Sequence, residues 1–153
     1  FTARLLVRIV GALEASGRSV EARRVAQSYL AKRPGNATAS RIVAAQAANA
    51  GDWELARSVL DYLLRSSGSR DVVLLSLASQ AAANLGDGEN ALRLAEQAME
   101  LQPNNGLAAA SLAFAHERNG ASREVARRRA GLNPDGSRYP RALNRLGEAA
   151  RGG

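Results

Sequence analysis

The residue types that most often perform chemistry are sparse in this sequence. His116 is the only histidine and there is no cysteine, which excludes a histidine triad, a histidine or thiolate metal cluster and a disulfide. Glu96 and Glu100 are four residues apart, so on a helix they are neighbours of like charge, and such pairs normally face solvent. We predict that His116 packs against its neighbours. The protein is therefore expected not to be an enzyme and to need no metal and no cofactor.

A run of three arginines, Arg127 to Arg129, could pair with phosphates and so raises nucleic-acid binding as a possibility. The formal net charge is +7, and Lys32 is the only lysine. However, no aromatic residue alternates with the run to stack on bases, and no known nucleic-acid-binding module is recognisable. Glu124 precedes the run by one helical turn and could pair with it. A solvated helix face is the favoured interpretation, and nucleic acid is the disfavoured alternative.

Charge is unevenly distributed along the chain. Residues 1–34 carry seven basic and two acidic groups, residues 71–105 one and five, and residues 106–153 nine and four. This pattern favours a patterned protein partner, which could itself be acidic. The bias towards alanine, arginine and glycine suggests a bacterial source. The longest strongly apolar stretch is too short to span a bilayer, and the sequence leaves localisation open.

The elements that position these residues are set by a repeat. Gly17, Gly51, Gly86 and Gly120 recur at spacings of 34, 35 and 34 residues. Apolar residues with helical periodicity precede each glycine, which can end a helix in the left-handed conformation. Second helices are then expected to begin at the N-caps Ser19, Asp52, Asp87 and Ser122. Prolines close two of the units, since proline cannot continue a helix. Each unit is thus predicted to be a helical hairpin.

These features resemble the tetratricopeptide repeat (TPR) family, whose units have about 34 residues with small residues at fixed helix contacts. The third unit matches best, with Ser79, Gly86, Ala91, Ala98 and Pro103. The resemblance implies an all-α fold, a right-handed α-α superhelix (solenoid) of four hairpins. We expect one array over residues 1–153, with units at about 3–36, 37–71, 72–105 and 106–133.

The two ends of the array are expected to differ. Residues 140–151 read as a C-terminal capping helix that opens with Pro140 and has one apolar face. The first helix, in contrast, has no evident cap. We therefore expect it to adjoin further repeats or to pack against a neighbour, which makes self-association an alternative function. In this alternative the chain is the C-terminal part of a longer array that serves envelope, secretion or polysaccharide-export assembly.

The resemblance also implies where a partner binds. In the family, an extended peptide or helix lies in a concave groove lined by the first helix of each unit. Transferred by register, the groove residues are Arg4, Val7, Arg41, Asn49, Ser76, Gln80, Asn84, Phe114 and Arg118. Phe114 is the best anchor candidate. The basic clamp of the subtype that captures chaperone tails is absent, because its positions hold residues such as Val7, Gly11, Ile42, Val73 and Leu77. The predicted function is a non-catalytic protein-binding scaffold.

Overall fold

The computed structural model describes residues 1–67, 70–133 and 135, and in these residues the chain forms eight α-helices. The helices pair in antiparallel hairpins, the first with the second, the third with the fourth, the fifth with the sixth and the seventh with the eighth. The helices are α1 (Ala3–Ala15), α2 (Ser19–Lys32), α3 (Ala37–Asn49), α4 (Trp53–Ser67), α5 (Val72–Asn84), α6 (Gly88–Leu101), α7 (Gly106–Arg118) and α8 (Arg123–Arg129). The prediction of an all-α fold built from hairpins is confirmed.

The helices belong to two compact units. Unit 1, residues Phe1–Ser69, contains the hairpins α1–α2 and α3–α4, and unit 2, which begins at Arg70, contains α5–α6 and α7–α8. Within unit 1, α3 packs on both α1 and α2, and within unit 2, α7 packs on both α5 and α6. The second hairpin of each unit therefore stacks on the first. That all four hairpins form one array stays a prediction.

The interhelix turns follow from the periodic glycines. Gly17, Gly51, Gly86 and Gly120 all have positive φ, between 76° and 99°, where other residues are strained. In all four turns, the amide after the glycine donates to a carbonyl five residues earlier, which satisfies the end of the helix. The regular spacing of the glycines thus corresponds to the regular spacing of the ends of the first helices.

The predicted N-caps are correct in three of four cases. Asp52, Asp87 and Ser122 accept hydrogen bonds from backbone amides three residues later. Ser19 is the exception, because α2 already includes it and Arg18 occupies the N-cap position, where its side chain caps no backbone amide. Ser19 therefore begins the helix rather than capping it.

The fourth turn is one residue longer than the others. Ser122 is the N-cap of α8, so that Ala121 is an additional residue between Gly120 and the cap. Ala126, rather than Val125, is consequently the fully buried residue of α8, equivalent to Ala91 of α6. Helix α8 then ends after only seven residues, at a turn in which Gly131 has φ of 76°. The predicted capping helix at 140–151 lies outside the described residues.

Alanine fills most of the core, as the low aromatic content of 4% requires. Fully buried alanines at helix contacts allow the backbones to approach closely, and larger residues such as Leu6 and Leu60 fill the remaining space. One hydrogen bond reinforces a contact in unit 2, where the Ser79 hydroxyl donates to the Ala91 carbonyl oxygen at 2.7 Å. Each unit is therefore held together by close packing of small side chains.

Candidate functional site

The predicted partner-binding residues of unit 1 project from α1 and α3. Arg4, Val7, Arg41 and Asn49 are all exposed, and Val7 keeps 49% of its surface accessible. An exposed valine beside arginines offers both apolar contact and hydrogen-bond donors to a ligand. In unit 1, the residues transferred by register thus lie where a partner could contact them.

In unit 2, part of the predicted set is used internally. The amide nitrogen of Gln80 donates to the Ser111 hydroxyl at 3.1 Å, and Ser111 in turn donates to the Ser76 carbonyl oxygen at 3.3 Å. The Asn84 amide donates to the Gln80 carbonyl oxygen at 2.8 Å. Ser76 is fully buried, so its side chain is not available to a partner. Register specifies a helix face only approximately, and Ser76 is therefore left out of the surface proposed below.

Phe114 and Arg118 form the second part of the unit 2 surface. Phe114 is half-buried and packs against the core of unit 2. The guanidinium of Arg118 lies over its ring, 5.1 Å from the ring centroid, in a cation-π arrangement. Val73, on α5, is exposed with 45% of its surface accessible. We call the exposed and half-buried members of the predicted set, together with Val73, the first-helix surfaces of the two units: Arg4, Val7, Arg41 and Asn49 in unit 1, and Val73, Gln80, Asn84, Phe114 and Arg118 in unit 2.

His116, the single histidine of the sequence, has a pKa that its surroundings shift. Burial, and then the charge of Arg129, lowers the pKa of His116, while Glu96 opposes the shift. A histidine that is kept neutral by burial suits packing on α7. Among the described residues, no three His, Cys, Asp or Glu side chains cluster as metal ligands would. No helix in the described ranges is both long and apolar enough to cross a bilayer.

One pocket was missed by the sequence analysis. It has a volume of about 440 Å³ and lies on α2 in unit 1. Tyr29, at its floor, occupies the register position at which the family has a small residue and the third unit has Ala98. The sequence signals of this pocket are that departure and the basic residues Arg24, Lys32 and Arg33, which lie along α2 and at its C-cap. We call this the α2 pocket; it is lined by Phe1, Arg24, Val25, Ser28, Tyr29, Lys32 and Arg33.

Comparison with solved structures identifies the class of fold. MamA from Desulfovibrio magneticus RS-1, solved from residue 41 to its end, matches with a TM-score of 0.68 and 18% identity over 84% of this chain and 71% of that chain. A MamA from strain MSR-1 matches with a TM-score of 0.68 and 16% identity over 100% of this chain and 80% of that one.

A third match is a Thermobaculum terrenum O-GlcNAc transferase, with a TM-score of 0.70 and 18% identity over 84% of this chain but 25% of the transferase. No family model matches the sequence, and no curated protein does. At these identities the likeness shows the fold alone, which is the TPR-like fold of helical hairpins.

Proposed function

We propose that this protein is a non-catalytic scaffold that binds an extended segment or a helix of another protein on the first-helix surfaces of its units. The observation that carries the proposal is the exposure of valines on first helices. Val7 on α1 is 49% exposed and Val73 on α5 is 45% exposed, although removal of an apolar side chain from water is favourable. Stacked hairpins of this fold class present the first helix of each unit to ligands.

The polar residues beside these valines support a protein ligand. In unit 1, Arg41 and Asn49 are exposed on α3, the other first helix, and carry hydrogen-bond donors and an acceptor. In unit 2, Arg118 stacks on Phe114 and so holds a planar guanidinium at the surface. Such a guanidinium can pair with a carboxylate of the ligand through two parallel hydrogen bonds. Apolar contact with a few directional polar groups is typical of protein interfaces.

The test is a quantitative pull-down from the source organism followed by mass spectrometry, with wild type and a Val7→Glu, Val73→Glu double variant. Both positions are exposed helix sites, and glutamate is a good helix former, so folding should be retained. A charge placed in a desolvated contact should remove most of the captured partner. The replacement of Phe114 is avoided, because its ring packs on the core and its loss would destabilise unit 2.

The matched control is the double variant Val20→Glu, Tyr62→Glu. These residues are also exposed, at 60% and 47%, but lie on the second helices α2 and α4. The control should capture the same partner as wild type. If the first-helix variant still captures it, or if both variants lose it equally, binding does not depend on the first-helix surfaces and the proposal is wrong.

We propose self-association as a second candidate, on the evidence of one uncovered helix face. Leu5 on α1 is 41% exposed, whereas its equivalents in the second hairpin of each unit, Ala39 and Ala108, are fully buried. Ala12 is likewise exposed, while its equivalent Ala115 is buried. On α3 and α7, the face equivalent to this one packs against the preceding hairpin of the same unit. Another hairpin, from a second copy or from further repeats, would fit it.

Sedimentation velocity over a range of protein concentrations tests this second candidate. Wild type should associate as concentration rises, and Leu5→Glu should remain monomeric, because it places a charge in the contact. Val7→Glu, two residues away on the other side of α1, is the control and should still associate. A wild-type protein that stays monomeric throughout would refute self-association without affecting the scaffold proposal.

A further inference from the structure

The α2 pocket combines an apolar floor with a basic rim. Its floor consists of half-buried Val25 and nearly buried Tyr29, which is 5% exposed. Phe1 closes one side, with its ring 5.2 Å from the Tyr29 ring in an edge-to-face arrangement. Phe1 reaches Tyr29 because α1 and α2 are antiparallel, which brings the start of α1 beside the end of α2. The volume of about 440 Å³ is sufficient for one or two side chains of a ligand.

The rim carries three cations and no acid. Arg24, Lys32 and Arg33 are all exposed. None of them forms an ion pair with a carboxylate of the described residues. Arg33 instead lies over the Tyr29 ring, with its guanidinium carbon 4.6 Å from the ring centroid.

Glu21 is the acidic residue that precedes the pocket on α2, and it is already engaged. Its carboxylate accepts two hydrogen bonds from the Arg18 guanidinium, one of them at 2.8 Å. This pairing is the main reason that its pKa is lowered, and Arg24 adds a smaller contribution. Because Glu21 is held by Arg18, it leaves the positive charge of the pocket rim uncompensated, and carboxylates of a ligand would complement that charge.

We propose that the α2 pocket binds an acidic segment of a partner protein, in which one aliphatic or aromatic side chain lies between two carboxylates. The spacing of the rim supports this pattern. Arg24 and Lys32 are eight residues apart on a helix, which corresponds to about 12 Å. An extended peptide covers that distance in about four residues. The central apolar side chain then enters the pocket over Val25, and the flanking carboxylates meet Arg24 on one side and Lys32 and Arg33 on the other.

The composition of the floor favours a peptide over a nucleic acid. Single-stranded nucleic acid is bound mainly by stacking of bases on exposed aromatic faces. Tyr29 offers no such face, because its ring is nearly buried beneath Arg33 and beside Phe1, so the exposed Phe1 ring is the single aromatic face in the lining and cannot stack successive bases. The half-buried Val25 provides an aliphatic surface that suits a leucine-like side chain. The pocket lies on α2, which contributes nothing to the first-helix surfaces, so the two binding proposals can be tested separately.

The experiment measures binding of a fluorescein-labelled peptide, Asp-Ser-Leu-Ser-Asp with blocked ends, by fluorescence anisotropy. Wild-type protein should bind it saturably. Replacement of both aspartates by asparagine, or of the leucine by serine, should weaken binding by on the order of tenfold, because each change removes one half of the recognition. The Arg24→Glu, Lys32→Glu variant should weaken it by a similar factor or more, with helicity and Tm checked by circular dichroism.

The matched control reverses two equally exposed charges elsewhere, in the Arg128→Glu, Arg129→Glu variant. It changes net charge by the same amount and should bind the peptide as wild type does. Equal loss in both variants would mean non-specific attraction and would overturn the proposal. Absence of peptide binding to the wild type would also overturn the proposal, as would displacement of the peptide by short oligothymidylate at equal concentration. A third contrary result is self-association of the wild type that only the α2 variant abolishes, because the occupant of the pocket would then be a second copy.

Discussion

Gln46 on α3 is a defect in the core of unit 1 that a single substitution should relieve. It is 7% exposed, and neither its amide nitrogen nor its amide oxygen has a hydrogen-bond partner among the described residues. Its register equivalents on the other first helices are all alanine, at Ala12, Ala81 and Ala115. The close helix contact therefore surrounds a polar group where the repeat normally has a methyl group. We predict that Gln46→Met stabilises the protein.

The magnitude follows from the two unpaired groups. A buried polar group without a partner costs about 1–3 kcal/mol, and its replacement by an apolar group of the same shape can be stabilising. Methionine matches the length of glutamine, but even a volume-conserving change can cost up to about 1.5 kcal/mol through imperfect packing. The expected net gain is about 1–2 kcal/mol. For a chain of this size that gain corresponds to a rise in Tm of about 2–8 °C.

Urea unfolding followed by circular dichroism measures this gain. The urea concentration at the midpoint should rise, while the dependence of the free energy of unfolding on urea concentration (the m value) stays constant. An unchanged m value shows that the folded and unfolded states keep their compactness. Gln97→Met, at an exposed position on α6, is the control and should leave the midpoint unchanged. If Gln46→Met instead lowers the free energy of unfolding by 1 kcal/mol or more, on the scale of a lost hydrogen bond, the amide is satisfied in solution and the reasoning is refuted.

Two further predictions concern unit 2. Ala91 is fully buried at the contact of α6 with its neighbours, so Ala91→Leu should overfill it and reduce the free energy of unfolding by about 1–3 kcal/mol; an unchanged urea midpoint would contradict this. Because the pKa of His116 is lowered by folding, the unfolded chain binds its proton more readily. Stability should thus fall as pH decreases through about 6.5, and the fall should end below the folded pKa. His116→Gln should flatten this profile, and a variant with the wild-type profile would exclude His116 as its cause.

The fold was predictable because its signals are local and recur. A glycine at positive φ ends a helix wherever it stands, so four glycines in register predict four hairpins with little dependence on tertiary contacts. The extra residue Ala121 in the fourth turn is implied by the predicted N-cap Ser122, but the contact residue of α8 is not, since "ERNGASREVA" aligns equally well with either Val125 or Ala126 in that role. Only packing, which buries Ala126, decides between them.

The candidate site was less predictable because burial is not a local property. Ser76 and Val73 are three residues apart on one helix, so the periodicity places them on neighbouring parts of a single face. The structure buries the first completely and leaves the second 45% exposed. The difference arises from what packs on α5, and a periodicity carries no information about that.

The two features with individual chemistry in unit 1 both lie where the repeat pattern fails. Tyr29 has the register position of Leu63 and Ala98, and at each of these positions the side chain is nearly buried. A tyrosine ring at this contact needs more space than a methyl group, and the end of α2 beside Phe1 provides it. Gln46 similarly replaces an alanine and carries unpaired polar atoms into a contact. The residues that agree with the repeat pattern thus account for the fold, which many proteins share. The buried residues that depart from the pattern indicate where this protein's own binding properties should be sought.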